Sequence, residues 1–489
     1  MTARQAFTAF PARIDRQWDE DIVAQLVEYI RLPAKSPHFD PDWKKHGHID
    51  AAVEQARGWV EAQRIDGMKL EVIRLAERTP VLFFDVPARG EGASSNSVLL
   101  YGHLDKQPEM TGWRPGFGPW TPVIEEGRLY GRGGADDGYA VFAAIAAIKA
   151  IDAEGIPRPR CIGLIETCEE SGSYDLPAYL DALAPRMGEV GLVIALDSGA
   201  GNYDQLWVTT SLRGLVNGTL RVDILTEGVH SGDAGGVVPS SFRIARQLLD
   251  RIDDSRTGRV LDAAFQCDVP ADRLAQAKQA AGILGESLWK RFPWSCCGDD
   301  RIFSQPVSTD PMELILNRTW RAALAVTGAD GLPLPASAGN VQRPYTTLKL
   351  SLRLPPLVDG GKAAQSLKQL LERDPPYKAS VAFDYDSAAT GWNAPSAAPW
   401  LATALDAASD QLWGKSAAYM GEGGTIPFMA MLNEKFPRAQ LLVTGVLGPK
   451  SNAHGPNEFI DIGYAKRVCS ATARIVAAMS DAATGLPTK

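Results

Sequence analysis

The sequence is poor in cysteine, with six in 489 residues and no C-x-x-C pair among them. A disulfide framework is therefore excluded as the basis of the fold. Buried free thiols are the expected state of these residues. The adjacent pair Cys296 and Cys297 receives no predicted role.

Clusters of basic residues and long apolar runs are also missing. The net charge of -8 and the lack of a lysine and arginine run argue against a nucleic-acid partner. No segment approaches the roughly 20 apolar residues that span a bilayer. The N-terminal segment also lacks an apolar stretch of signal-peptide length. We therefore expect a cytoplasmic protein that acts on small molecules, with no nucleic acid and no membrane as partner.

The overall composition, 45% apolar and 22% charged, is that of a globular protein. The chain is longer than one hydrophobic core usually serves, so we expect more than one domain. Segments with apolar residues at helical spacing alternate with short apolar runs, and these runs predict buried strands. The helical segments are 16–31, 49–63 and 138–151, and the apolar runs are 81–88, 97–105, 161–165 and 191–196. This alternation predicts an α/β fold with a mostly parallel sheet covered by helices, and chemistry at the ends of its strands.

The pattern changes near residue 212. Residues 214–225 and 346–356 alternate as strands with one solvated face do, and they enclose a helical segment. Helix and buried-strand patterns return at 398–412 and 440–444. We therefore predict a catalytic domain from residues 1–211 and 392–489, and an inserted domain of antiparallel sheet plus helices from residues 212–391.

Histidines and carboxylates follow the predicted strands. His103 closes one strand, with Asp105 two residues on as a partner that could fix its tautomer. The turn GRGGADDG places Asp136 and Asp137 side by side before a helix. Helix N-capping would explain one of these aspartates but not both.

Three further segments continue this pattern. Glu169 and Glu170 are adjacent after another strand, Asp197 follows a third, and His454 lies in a loop rich in glycine and proline. A solvated helix N-terminus is the ordinary alternative for the two glutamates, but like charges so placed repel unless cations hold them. Mixed nitrogen and oxygen ligands suit zinc, manganese or cobalt. The number of carboxylates favours two ions that share one carboxylate.

Several longer strings make the chain resemble a known family. They are GHLDKQPE, GWRPGFGPWTPVIEEGRLYGRGGADDG, EESGS, GVHSGDAGG, LRLPP, EGGTIP and NAHGPNE. Their order is similar to that in the di-metal aminoacylase and carboxypeptidase family of metallopeptidases, above all carnosinase-like cytosolic dipeptidases, whose relatives include acetylornithine deacetylase and glutamate carboxypeptidase. The resemblance implies a phosphorylase/hydrolase-like catalytic domain with an inserted α+β lid or dimerisation domain.

The resemblance also implies a ligand set for two divalent ions, with zinc expected and manganese or cobalt possible. Asp136 would bridge the ions, His103 and Asp197 would complete one site, and Glu170 and His454 the other. Asp105 would steady His103, and Glu169 would be the general base for a metal-bridging water. The peptide bond between Asp136 and Asp137 is expected to be cis.

Four residues of the inserted domain and the chain after it match substrate-binding positions. His230 matches a histidine that reaches a partner subunit's active site and stabilises the oxyanion, which implies a functional homodimer. Asn340 and Arg353 would bind the substrate carboxylate, and Thr425 would contact substrate. A cross-strand pair is the structural alternative for Arg353.

The implied activity is hydrolysis of the peptide bond of dipeptides or short peptides. The alternative within the same machinery is an N-acyl amino acid deacylase of aminoacylase or deacetylase type. A non-catalytic metal-stabilised scaffold would require loss of the base or of a ligand, and neither is missing. Two positions depart from carnosinase-like sequences: Gly421 stands where those sequences usually carry arginine, and Pro344 falls one position late. The resemblance implies that both positions lie in the substrate pocket.

Overall fold

The computed structural model describes residues 9–295 and 304–483 of the chain. They form two compact units. The first is made of Met1–Thr209, Ala394–Met420 and Pro427–Lys489, and the second of Thr210–Asn393 and Gly421–Ile426. Residues 421–426, which the sequence analysis assigned to the catalytic domain, group with the second unit. Cys296 and Cys297 lie outside the described residues, and the described cysteines are free thiols.

The strands of the described residues are numbered in chain order. They are β1 Lys69–Ile73, β2 Val81–Val86, β3 Ser97–His103, β4 Val123–Glu125, β5 Arg128–Tyr130, β6 Cys161–Glu166, β7 Val190–Ala195, β8 Trp207–Leu212, β9 Gly214–Asp223, β10 Val229–His230, β11 Ala323–Asp330, β12 Val341–Gln342, β13 Tyr345–Leu354, β14 Ser380–Ala389, β15 Trp392–Asn393, β16 Ala418–Glu422, β17 Gln440–Val443 and β18 Phe459–Asp461.

The helices are numbered in the same way. They are α1 Phe10–Gln17, α2 Val23–Arg31, α3 Trp43–His46, α4 His48–Ala62, α5 Tyr139–Ala153, α6 Leu176–Met187, α7 Ser231–Ala234, α8 Ser241–Leu249, α9 Ala271–Leu284, α10 Ser287–Lys290, α11 Pro311–Thr319, α12 Gly360–Glu372, α13 Pro399–Trp413, α14 Pro427–Lys435 and α15 Ile462–Ala483. A π-helical turn, Trp18–Ile22, joins α1 to α2. None of the described helices is long and apolar enough to cross a membrane.

The first unit is built on a six-stranded sheet with the order β1-β2-β6-β3-β7-β17. Strands β6, β3, β7 and β17 pair in parallel, whereas β2 is antiparallel to both of its neighbours, β1 and β6. Every residue of β3 and β6 is buried, as expected of strands covered on both faces. The predicted α/β fold with a mostly parallel sheet is confirmed, and the carboxyl ends of β3, β6 and β7 lie at one edge.

The second unit contains an antiparallel sheet with the order β11-β13-β9-β14. Strand β9 pairs along its full length with β13 and, on its other side, with β14. Alternate residues of β9 and β13 are buried, and they form a core with the apolar faces of α8 and α12. One face of the sheet is thus covered by helices, and the two-stranded pair β10-β12 lies apart from it.

Candidate metal centre and active site

The parallel sheet of the first unit brings polar side chains from three strand ends together. His103 is the last residue of β3 and is 1% exposed. Glu169 and Glu170 form a short 3-10 turn shortly after β6, and Asp197 follows β7. Because parallel strands end at the same edge, residues that are far apart in sequence become neighbours there.

Asp136 joins the cluster from a different element, the glycine-rich turn that precedes α5. Gly133 in this turn has a positive φ of 82°, a conformation that glycine adopts without steric cost. The peptide bond between Asp136 and Asp137 is cis, as the resemblance predicted. Asp137 is fully buried, and burial raises the pKa of its carboxyl well above the usual value.

His103 stands at the centre of the cluster. Its Nε2 lies 3.4 Å from an oxygen of Asp136, 3.8 Å from one of Asp197 and 4.0 Å from one of Glu169. Ligand atoms of His103, Asp136 and Glu170 all lie within 4.8 Å of one another, and the same holds for His103, Glu169 and Asp197. Two groups with metal-ligand composition therefore share this histidine.

His454 approaches the cluster from the loop before β18. Its Nε2 is 3.1 Å from Asp136 Oδ2 and 3.3 Å from Glu170 Oε2. The backbone of His454 has a positive φ of 65°, which is uncommon for a residue with a side chain. Asp136 thus lies between His103, which contacts its Oδ1, and His454, which contacts its Oδ2.

The electrostatics of the cluster fit a divalent cation. Burial, and then the charge of Asp136, raises the pKa of Asp197 to about 7. Burial also raises the pKa of Glu169 and of Glu170 well above the ordinary range, and neighbouring carboxylates add to it. His103 Nε2 is buried and has no hydrogen-bond partner among the described residues. A cation would remove the repulsion and use this nitrogen, so the donor set fits a nitrogen and oxygen metal site.

Asp105 organises the cluster from beneath. Its Oδ1 accepts a hydrogen bond of 3.1 Å from the backbone N–H of Glu169, and its Oδ2 accepts one of 3.0 Å from that of Glu170. Asp105 Oδ1 also lies 3.4 Å from His103 Nδ1. His103 Nδ1 also lies 3.1 Å from the main-chain carbonyl oxygen of Asp105. Asp105 therefore contacts the histidine through both its backbone and its carboxylate, and its carboxylate accepts from the backbone of both glutamates.

Sequence reasoning missed Gln107, which contacts a candidate ligand directly. Its Nε2 donates a 2.6 Å hydrogen bond to Glu170 Oε2. Gln107 lies in the string GHLDKQPE, two residues after Asp105, so its place after the strand was the signal that could have found it.

Arg132 and Glu458 were also missed, and they support the His454 loop. The two side chains are 1% and 0% exposed and form an ion pair of 2.5 Å. Arg132 Nη2 donates to the carbonyl oxygens of His454 and Gly455, at 3.1 and 2.9 Å. Glu458 Oε1 accepts from the backbone N–H of Gly133, in the turn that carries Asp136. The pair therefore ties two ligand-bearing loops together.

The remaining predicted residues lie in the second unit and fall into two groups. His230 pairs with Val341 across β10 and β12, its side chain is exposed, and the N–H of Ser231 donates to the carbonyl of Asn340. Arg353 projects from β13 and donates a 3.1 Å hydrogen bond to Thr425 Oγ1. The residues opposite Arg353 on the neighbouring strands are Ala323 and Leu215, and its side chain donates to Thr425 instead.

Comparison with known proteins places this fold and cluster in a family. The family model described as peptidase family M20/M25/M40 matches residues 99–479. The chain belongs to peptidase family M20/M25/M40. It is therefore a metallopeptidase, and the family predicted from the motifs is confirmed.

Curated members of family M20/M25/M40 align along most of the chain. The cysteinylglycine-S-conjugate dipeptidase of Corynebacterium striatum is 25% identical and covers 94% of this chain and 95% of its own length. The human Beta-Ala-His dipeptidase is 25% identical, with coverages of 92% and 88%.

Solved structures of the family share the fold. The dipeptidase Dug1p of Saccharomyces cerevisiae superposes with a TM-score of 0.74 at 21% identity, covering 97% of this chain and 98% of that one. A family M20 metallo-carboxypeptidase of Sulfolobus solfataricus also gives 0.74, at 20% identity, with coverages of 94% and 99%.

Proposed function

We propose that this chain is a metal-dependent dipeptidase that cleaves the peptide bond of dipeptides or short peptides, with Glu169 as the general base. The observation that carries the proposal is the pair of ligand groups around His103, one of which contains Glu169. Glu169 Oε2 lies farther from His103 Nε2 than the contacting oxygens of Asp136 and Asp197 do. Dipeptidase relatives that align along nearly the whole chain support the substrate class.

Two divalent ions, zinc before manganese or cobalt, are the proposed cofactors. Asp136 would be shared, His103 and Asp197 would hold one ion, and Glu170 and His454 the other. When bound, the ions would polarise the scissile carbonyl and lower the pKa of the attacking water.

The proton transfers belong to Glu169. Its carboxylate takes a proton from the attacking water and passes that proton to the nitrogen of the leaving amine. The hydrogen bond from its backbone N–H to Asp105 holds the turn that carries it. Burial, and then the charge of Asp197, raises the pKa of Glu169 above its usual value, which makes the carboxylate a stronger proton acceptor.

We assign substrate recognition to the second unit, acting as a lid and dimerisation domain in a homodimer. Arg353, with Asn340, would bind the carboxylate of the substrate, and Thr425 would contact it beside Arg353. His230 would reach the active site of the partner subunit and stabilise the oxyanion, and its exposed side chain supports this role. A His230→Ala protein that stays dimeric and keeps full turnover would refute this assignment.

A cytoplasmic location is a further proposal. The described cysteines are free thiols, as is usual for proteins of reducing compartments.

The decisive experiment is a hydrolysis panel of free dipeptides against N-acetyl and N-succinyl amino acids. The metal-free protein is reloaded with zinc or manganese, and Glu169→Gln serves as the control. We expect metal-dependent cleavage of dipeptides only, abolished in the control. Cleavage of acyl amino acids alone would overturn the proposal in favour of a deacylase, and no hydrolysis of either class would reject both.

A further inference from the structure

The second unit contains a group of basic side chains that the proposed catalytic cycle uses only in part. This arginine cluster consists of Arg213, Arg291, Arg318 and Arg353, and each side chain is partly buried. The residues are dispersed over 141 positions of sequence, yet the charges of Arg353 and Arg318 act on Arg213, and that of Arg318 acts on Arg291. The fold has therefore gathered four guanidinium groups in one region of this unit.

Arg213 is fixed on a loop that also holds Arg353. The backbone N–H of Arg213 donates to Gly424 O at 3.1 Å, and its Nε donates to Gly423 O at 3.0 Å. Thr425 Oγ1 donates to the carbonyl oxygen of Arg213 at 2.6 Å and accepts from Arg353 Nη1 at 3.1 Å. The Thr425 hydroxyl thus links the main-chain carbonyl of Arg213 to the guanidinium of Arg353.

Arg318 contacts the same loop. Its Nη2 forms an ion pair of 2.6 Å with Glu422 Oε2. A Cβ atom at Gly423 would lie 3.2 Å from Arg213 Nη2 and 3.3 Å from Arg318 Cγ. Glycine at this position allows the side chains of Arg213 and Arg318 to approach the same stretch of backbone.

The charge of the cluster is not balanced by the described residues. Glu422 is the carboxylate that interacts with it, against four guanidinium groups. Burial, and then the neighbouring arginines, lower the pKa of Arg213 and of Arg291 to about 10, so both stay charged at neutral pH. Arg318 Nη1 and Arg291 Nε are buried and have no hydrogen-bond partner in the described part of the chain. Buried guanidinium N–H donors without a partner are costly unless an acceptor, best an anion, joins them.

We propose that the arginine cluster binds a second carboxylate of the substrate, so that dipeptides with a C-terminal aspartate or glutamate are the preferred class. This inference rests on the proposed function, in which Arg353 binds the main-chain carboxylate. Arg318 and Arg291 hold the unused N–H donors that the side-chain carboxylate of an acidic residue would accept. Guanidinium groups suit this task because their planar fork matches a carboxylate.

The test compares Ala-Glu with Ala-Gln, which has nearly the same shape and lacks the second charge. The wild-type protein should cleave Ala-Glu with a kcat/KM at least about tenfold higher, because Ala-Gln leaves buried charged donors unpaired. Arg318→Met and Arg291→Met should each bring the ratio towards one. Arg321→Met is the matched control, since Arg321 lies three residues from Arg318 but pairs with Glu313, and it should keep the wild-type ratio.

Arg291→Met keeps the test decisive if Arg318→Met fails to fold, because Arg291 forms no ion pair among the described residues. A wild-type ratio near one, or a ratio that Arg291→Met leaves unchanged, would overturn the inference.

A binding experiment tests this inference independently of the proposed function. Calorimetry on the metal-free protein compares glutarate, a dicarboxylate, with butyrate, which has one carboxylate. Tighter binding of glutarate that is lost in Arg291→Met supports the cluster even if no dipeptide is cleaved. Equal binding of the two would reject it even if dipeptides are cleaved.

Discussion

The adjacent glutamates after β6 have different surroundings. Glu170 Oε2 accepts a hydrogen bond from Gln107 and lies 3.3 Å from His454 Nε2, whereas Glu169 Oε2 lies 4.0 Å from His103 Nε2. We predict that Glu169→Gln lowers kcat by about 10²- to 10⁴-fold, the usual contribution of a general base, while metal content stays at the wild-type level. Turnover and elemental analysis of the same preparation measure both.

Glu61→Gln is the matched control, because Glu61 lies on helix α4 and pairs with Arg57 at the surface. It should leave turnover unchanged. A loss of bound metal in Glu169→Gln would contradict the prediction and place Glu169 among the ligands.

The buried pair of Arg132 and Glu458 supports the His454 loop. Removal of one partner leaves the other charge buried and unpaired, so Arg132→Met should lower the free energy of unfolding by about 3–5 kcal/mol. The double variant Arg132→Met/Glu458→Leu should lose less than the two single variants together, because it leaves no lone charge. Urea unfolding of the four proteins measures this coupling, and additive losses would show that the pair does not act as a unit.

At the scale of elements, the sequence predicts best those strands and helices that a pattern within a few neighbouring residues reveals. The apolar runs at 81–88, 97–105, 161–165 and 191–196 correspond to β2, β3, β6 and β7. Because the strands are buried on both faces, they are nearly continuous apolar runs that are easy to recognise. The helix predicted at 16–31 begins earlier, at Phe10, and Pro11 near its start suits the first helical turn.

Contacts between residues that are distant in sequence were harder to predict from the sequence. Strand β6 lies between β2 and β3 in the sheet, although it follows both in sequence. The ion pair of Arg132 and Glu458 joins residues 326 positions apart, and although each lies in one of the quoted strings, neither string marks them as partners. The ligand candidates were recognisable because each stands at the end of a strand or in a glycine-rich turn, whereas these supporting contacts depend on tertiary packing.

Strand β6 also contains a glycine whose lack of a side chain leaves room for an aromatic ring on the neighbouring strand. Gly163 faces Phe84 on β2, and a Cβ atom there would lie 2.0 Å from a ring carbon of Phe84. We predict that Gly163→Ala lowers the free energy of unfolding by about 1–3 kcal/mol, the usual cost of overpacking a core. Phe84→Leu in the same chain should recover part of this loss by making room, as thermal unfolding would measure. A single variant as stable as the wild type would show that the ring moves aside freely.

At the scale of the whole molecule, the cluster makes folding of the first unit sensitive to metal and to pH. The pKa of Asp197 is raised to about 7 by burial first, and the pKa of Glu169 and of Glu170 also lies well above its usual value. The folded metal-free protein therefore binds more protons than the unfolded chain does between the ordinary carboxyl pKa of about 4 and about 7. We expect the stability contributed by these groups to fall as the pH rises through this range.

Bound metal ions favour the ionised carboxylates, so metal binding strengthens as these groups lose their protons. We therefore predict that chelation lowers Tm, and that the difference in Tm between loaded and metal-free protein widens from pH 5 to pH 8. Metal at 100 times its Kd would contribute about 2.7 kcal/mol. Thermal unfolding with zinc and with chelator, at several pH values, measures the difference. A constant difference across this range would mean that the clustered carboxylates are already ionised in the metal-free fold, contrary to the effect of their burial.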